Sequence, residues 1–174
     1  MHPCTVLGTY EIVGLVGTGG MGSVYRARDQ KLGRDVAIKV LLNELADDPK
    51  FLARFEHEAK ILASINHPNI ATIFGFEDAG GAPYLVLEFL EGETLDSRLR
   101  RGPLTNSEAL RMAIQVSRAL EAAHEKDVVH RDLKPSNVMM CPGDVAKVLD
   151  FGIAKSLGTG GLDVTSGDTR GVKL

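Results

Sequence analysis

His130-Arg131-Asp132-Leu133-Lys134-Pro135-Ser136-Asn137, followed downstream by Asp150-Phe151-Gly152, is the stretch that decides how this chain is read. Two acids, a lysine and an asparagine in this order are the groups that phosphoryl transfer from Mg-ATP to a hydroxyl requires. One acid orients the acceptor, the other holds metal, and the asparagine adds a metal ligand. The oxygens of Asn137 and Asp150 suit a hard octahedral cation that also binds phosphate, so Mg²⁺ is expected, with Mn²⁺ as a substitute.

The rest of the chain must supply a nucleotide site. Residues 10–16 are apolar and β-prone, run into Gly17-Thr18-Gly19-Gly20-Met21-Gly22, and resume as Ser23-Val24-Tyr25-Arg26-Ala27-Arg28. This predicts two strands joined by a glycine-rich turn. A dinucleotide-binding Gly-x-Gly-x-x-Gly would open a helix instead, and no Gly-Lys-Ser or Gly-Lys-Thr occurs, which removes a Walker-type loop.

Asp35-Val36-Ala37-Ile38-Lys39-Val40-Leu41-Leu42 reads as a further buried strand carrying one lysine. Buried lysines need a partner. Asp48 and Pro49 open a helix, in which Phe51, Phe55, Glu58, Leu62 and Ile65 fall on one stripe. A carboxylate on a buried face needs a countercharge, which pairs Glu58 with Lys39; Glu56, off the stripe, is left to solvent. The lesser alternative is an ion pair that merely ties helix to sheet.

Residues 66–69 form a turn, and 70–77 and 84–90 read as strands flanking Gly80-Gly81. Glu91-Gly92-Glu93 suits a hinge. Beyond it lie a short helix over 94–101 and a long one opened by the Thr105-x-x-Glu108 capping box. The long helix is expected to end near Glu125 with Leu110, Ala113, Ile114, Ser117, Leu120 and His124 on its packed face.

Composition fits one domain with a proper core, since 44% of the 174 residues are apolar and 25% charged. A net charge of −3 gives no reason to invoke nucleic acid, and Arg98, Arg100 and Arg101 read as a solvated helix face. Cys4 and Cys141 have no metal-ligand spacing and point to a reducing compartment, while His2, His57, His67 and His124 read as packing or rim residues. No apolar run is long enough to span a bilayer, and residues 1–10 lack the pattern of a signal peptide. Residues 158–167, rich in Gly, Thr, Ser and Asp, read as a mobile loop.

Together these motifs resemble the protein kinases. Gly19 to Asp29, and Asp150-Phe151-Gly152-Ile153-Ala154-Lys155, are most similar to the bacterial, eukaryotic-like serine/threonine branch. The resemblance implies an α+β bilobal fold: a tail over 1–9, a lobe of five strands and one helix over 10–90, and a partial helical lobe over 91–174 ending in the activation loop. It makes Asp132 the base and sets Lys134 beside the transferring phosphate. Lys134 with Pro135 implies serine or threonine acceptors in protein substrates. Lys39, paired to Glu58, would hold the α- and β-phosphates.

Val16, Gly17, Thr18, Gly19, Gly20, Met21 and Gly22 would cover the nucleotide. Val24 and Ala37 would lie above adenine and Met139 below it. Leu87 would be the gatekeeper, with the Glu88 carbonyl and Leu90 amide bonding the base. His130 and Phe151 would belong to the apolar stack that aligns the lobes. Arg131 would receive a phosphate from Thr165, Ser166 or Thr169.

The family's domain continues beyond the motifs found here, so the resemblance implies an incomplete domain. It leaves open a second reading, a catalytically dead nucleotide-binding or interaction module. A cytoplasmic setting is expected, including the cytosolic part of a membrane-anchored protein, and a dimer of such domains is compatible with it.

Overall fold

The computed structural model describes residues 5–19, 22–42 and 47–151. Gly20, Met21, Gly152, residues 158–167, Thr165, Ser166 and Thr169 lie outside them. The first lobe is an antiparallel sheet of β1 (Val6–Leu7), β2 (Tyr10–Gly19), β3 (Gly22–Asp29), β4 (Arg34–Leu41), β5 (Ile73–Asp78) and β6 (Pro83–Glu88), ordered β1-β2-β3-β4-β6-β5. A strand, not a helix, follows the glycines: Gly19 pairs with Gly22 and Thr18 with Ser23.

The described lobe thus has six strands where the sequence suggested five, because Val6–Leu7 of the expected tail pairs with Tyr10–Glu11 across a turn with Gly8 at φ 59°. Leu7 is buried, and the phenols of Tyr10 and Tyr84 donate to the two oxygens of Glu77, at 3.0 and 2.8 Å. Burial, and then the Glu77 carboxylate, push both phenols above their ordinary pKa. One sheet face closes on Tyr10, Ile12, Tyr25, Val36, Ile38 and Val86, all from the lobe itself.

The other face is covered by α1 (Pro49–Ala63). Asp48 caps it by accepting from the amides of Lys50 and Phe51, and Pro49 occupies the first turn. Its buried stripe is Phe51, Phe55, Ala59 and Leu62, so the sequence reading was one residue off: Ala59 faces the core and Glu58 lies at its edge. Glu56, half-buried, pairs with Lys60.

After the hinge come β7 (Glu93–Thr94), α2 (Leu95–Leu99), α3 (Asn106–His124), a single 3₁₀ turn (Pro135–Asn137), β8 (Val138–Cys141) and β9 (Val145–Val148), with β7, β8 and β9 forming a second sheet. Both arms of the Thr105–Glu108 capping box are present. The expected face of α3 is rotated, however. Ala119 and Ala123 are its buried residues, whereas Leu110 and Ile114 are 64% and 44% exposed and Ser117 and His124 face solvent. Alanines occupy the packed side because β9 approaches closely there, and side-chain bulk misled the reading. Ala119, Ala123, Val148 and Phe151 complete a second core with Phe55, Leu62, Ile70 and Leu85. Among the described residues, no helix is long and apolar enough to cross a membrane.

Candidate active site

The chain leaves α3 through Asp127, at φ 58°, and returns to the second core at His130, which is 3% exposed. His130 Nε2 lies 2.9 Å from the Leu149 carbonyl, and its ring sits 4.8 Å from that of Phe151. The Asp132 amide donates to the His130 carbonyl at 2.7 Å and lies 3.3 Å from His130 Nδ1. An accepting Nδ1 makes Nε2 the protonated nitrogen, so one tautomer satisfies both ends of the ring. Between them Arg131 takes φ 56°, a strained state for a side-chain-bearing residue that costs about 1–3 kcal/mol and persists only where its surroundings enforce it.

This anchored turn presents Asp132. Lys134 Nζ donates to Asp132 Oδ2 at 2.8 Å, and Asn137 Nδ2 donates to the Asp132 carbonyl at 2.9 Å and approaches Oδ2 at 3.4 Å. The Leu149 amide donates to the Asn137 carbonyl at 2.8 Å, which ties the turn to the end of β9 and hence to Asp150. Asp132, Lys134, Asn137 and Asp150 are therefore one connected group.

Lys39 joins this group by a route the sequence did not suggest. Its Nζ lies 2.8 Å from Asp150 Oδ1, while Glu58 Oε1 lies 3.7 Å from Arg131 Nη1. The expected Lys39–Glu58 pair is thus not the one formed. Lys39, 12% exposed, needs an anion, and β9 delivers Asp150 to it. Glu58, displaced to the edge of α1 by Ala59, meets Arg131.

Beside these charges lies an apolar cavity of about 220 Å³, lined by Val16, Val24 and Ala37 from the sheet lobe, Leu87 and Glu88 from the end of β6, Phe89 and Leu90 from the hinge, and Met139 from β8. It continues past Leu87 to Leu62, Ile70 and Phe151, and ends at Asp150. A slot with apolar walls and hinge backbone along one edge accepts a flat heteroaromatic base. Gly17, Thr18 and Gly19 form the end of β2. Gly22, at φ 147°, runs so close to β4 that a Cβ would lie 1.9 Å from the Val40 carbonyl oxygen, so glycine is required there. At the far end of the hinge Gly92 does the same against β8, with the Met140 oxygen 2.0 Å from where a Cβ would stand.

Among the described residues, no cluster of three or more His, Cys, Asp or Glu is placed to hold a metal. The Asn137 amide oxygen and the Asp150 carboxylate are hard donors of the type that fits a cation taking its remaining ligands from water and phosphate.

Two polar ties escaped the sequence reading. Lys147 Nζ bonds both carboxylate oxygens of Glu88, at 2.8 and 2.7 Å. The buried Asn69 side chain donates to Gln115 Oε1 and the Ala146 carbonyl, each at 2.8 Å, fastening the segment after α1 to α3 and β9. Arg100 and Arg101 are exposed and pair with Asp96 and Glu93, but Arg98, 22% exposed, lies against Glu108 and donates to the Gly102 carbonyl, so the three do not form one solvated helix face.

The model of the protein kinase domain matches residues 10–170. The chain is 45% identical over 159 residues to the serine/threonine-protein kinase PknA of Mycobacterium tuberculosis, covering 88% of this chain and 37% of that protein. It is 44% identical over 169 residues to a probable serine/threonine-protein kinase of Streptomyces coelicolor, covering 94% of this chain and 25% of that one. It thus spans between a quarter and two-fifths of the length of these curated relatives. Among solved structures, the Mycobacterium tuberculosis PknI kinase domain superposes with a TM-score of 0.80 at 27% identity, covering 88% of this chain and 62% of the other.

Proposed function

This chain belongs to the protein kinase domain family, and from that premise we propose that the protein binds Mg-ATP and transfers its γ-phosphoryl group to serine and threonine hydroxyls of proteins. The observation that carries this reading is the single connected group of Asp132, Lys134, Asn137 and Asp150 at the mouth of an apolar slot.

In this reading the base lies between Val24 and Ala37 above and Met139 below, bonded by the Glu88 carbonyl and Leu90 amide. Residues 16–22 cover the phosphates. Lys39 holds the α- and β-phosphates, and Glu58 becomes its partner when α1 turns inward and gives up Arg131. Asn137 and Asp150 hold Mg²⁺, which supplies neutralisation of phosphate charge. Asp132 orients the acceptor hydroxyl and takes its proton, a role worth about 10²–10⁴ in rate. Lys134, already on Asp132 Oδ2, offsets charge on the transferring group. Arg131 receives an activating phosphate from Thr165, Ser166 or Thr169.

The test separates the two acids in the full-length protein. Asp132→Asn is expected to cut transfer by about 10²-fold or more with Mg-ATP affinity near wild type, whereas Asp150→Asn also weakens Mg-dependent binding. Transfer that survives Asp132→Asn would sink the assignment. Nucleotide binding with no transfer in wild type would favour the interaction-module reading.

A further inference from the structure

The hinge leaves the ladder at Glu88, the last residue of β6, and crosses to the second lobe without strand partners until Glu93. Glu88 itself is still held by the sheet, opposite Val36 and with its amide donating to the Thr72 carbonyl at 2.9 Å. What remains to be fixed is the segment just beyond it, and side chains can hold that segment. Here they do so from both sides. Lys147 grips both Glu88 oxygens, and the Thr72 amide donates to Glu88 Oε2 at 3.1 Å. On the other side the Arg26 guanidinium covers the Phe89 ring at 4.9 Å and is itself bound by Asp35.

The two anchors differ in burial. Lys147 and Glu88 are 16% and 27% exposed, whereas Arg26 is 46% exposed, so the first pair is less screened by solvent. Lys147 is also placed to link sites. It stands on β9 opposite Met139, the expected floor of the slot, and the chain leaving that strand at Val148 reaches Asp150 two residues on.

We propose that Lys147 is a positioning residue for the nucleotide base: its grip on both oxygens of the Glu88 carboxylate ties the start of the hinge to β9 and so fixes the course of Phe89 and Leu90 along the slot they line. The proposal rests on the nucleotide reading above. A preorganised hinge binds the base without first having to be ordered, and loss of that order is expected to weaken binding about tenfold.

The experiment measures dissociation constants of ATP and of adenosine, by calorimetry, for the full-length protein and its variants. Adenosine lacks phosphates, so a defect at the hinge lowers both affinities by the same factor, whereas Lys39→Ala lowers that of ATP alone. Lys147→Met is expected to weaken both ligands about tenfold, and Lys147→Arg to stay within about twofold of wild type. If Lys147→Met fails to fold, Glu88→Gln takes its place, with the same loss expected. Wild-type adenosine affinity in Lys147→Met or Glu88→Gln, or a Lys147→Arg variant as weak as Lys147→Met, overturns the proposal. A wild-type protein that binds neither ligand overturns the nucleotide reading itself.

Discussion

The sheet lobe and the segment after the hinge solve burial differently. The core of Tyr10, Ile12, Tyr25, Val36, Ile38 and Val86 draws every member from the lobe that contains it. Ala119, Ala123, Val148 and Phe151 instead complete a core whose larger side chains, Phe51, Phe55, Leu62 and Leu85, belong to the first lobe. The sheet lobe can therefore hold its shape by its own contacts, whereas the residues proposed to bear the chemistry are ordered by leaning on it. This division suits a site in which Asp132, Asn137 and Asp150 must be registered against Lys39 across the hinge.

The largest expected effect comes from cutting at the hinge. A peptide of residues 5–90 should retain slowly exchanging amides in β2, β3, β4 and β6, whereas one of residues 91–151 should show no protected core. Equal protection in the two pieces would show that the sheet lobe is no more self-sufficient than the segment after the hinge. Within the intact protein, Ile38→Ala and Ile70→Ala each remove a buried side chain, at about 2–5 kcal/mol. Ile38 lies in the self-contained core, so its loss should accelerate exchange mainly in the sheet. Ile70 packs in the shared core and bridges Val148, so its loss should accelerate exchange in β9 and α3 as well.

The same contrast governs what the sequence could reveal. Five of the six described strands of the sheet lobe, including the one after the glycines, the Asp48 cap and the Thr105 capping box were legible because each depends on neighbouring residues; Val6–Leu7 was not, since two residues carry no pattern. The face of α3 was not, because two alanines carry it and their significance lies in how closely another element approaches. The partner of Lys39 was missed for a related reason: one lysine among apolar strand residues signals that an anion is near, but only the fold decides between Glu58 and Asp150. The same signal stood unread at Lys147, between Ala146 and Val148, where the anion is Glu88. The roles assigned to Asp132, Lys134, Asn137 and Asp150 came from a motif; the structure adds the bonds that connect them.

A sharper test of how the two parts are joined lies at Gly92. It sits at φ 131°, with no room for a Cβ beneath the Met140 carbonyl, so Gly92→Ala must move either the end of the hinge or β8. Destabilisation of about 1–3 kcal/mol is expected in denaturant unfolding. The perturbed amides should cluster in β7 and β8, where Glu93 faces Met140 and Thr94 faces Met139, and leave β2 to β4 unchanged. A Gly92→Ala protein as stable as wild type would mean that the lobes are less tightly registered than this close approach implies.

The smallest effect is local to α3 and depends on pH. Thr105 Oγ1 accepts from the Glu108 amide, and Glu108 Oε2 accepts from the Thr105 amide and hydroxyl at 2.7 and 2.8 Å. The bond from the Thr105 amide, then that from its hydroxyl, holds the Glu108 carboxyl below its ordinary pKa. A carboxylate whose pKa is lower in the folded state contributes stability above its unfolded value, and that contribution fades as pH falls through the folded one. Thr105→Ala is therefore expected to cost about 1 kcal/mol at neutral pH and less in acid, where the protonated Glu108 has already weakened its half of the box. Glu108→Gln keeps the shape of the side chain without its titration, so unfolding curves collected from neutral to acidic pH should lose the part of the slope that this carboxylate contributes. A Thr105→Ala cost that does not change over that range would show that the charge on Glu108 is irrelevant to the cap.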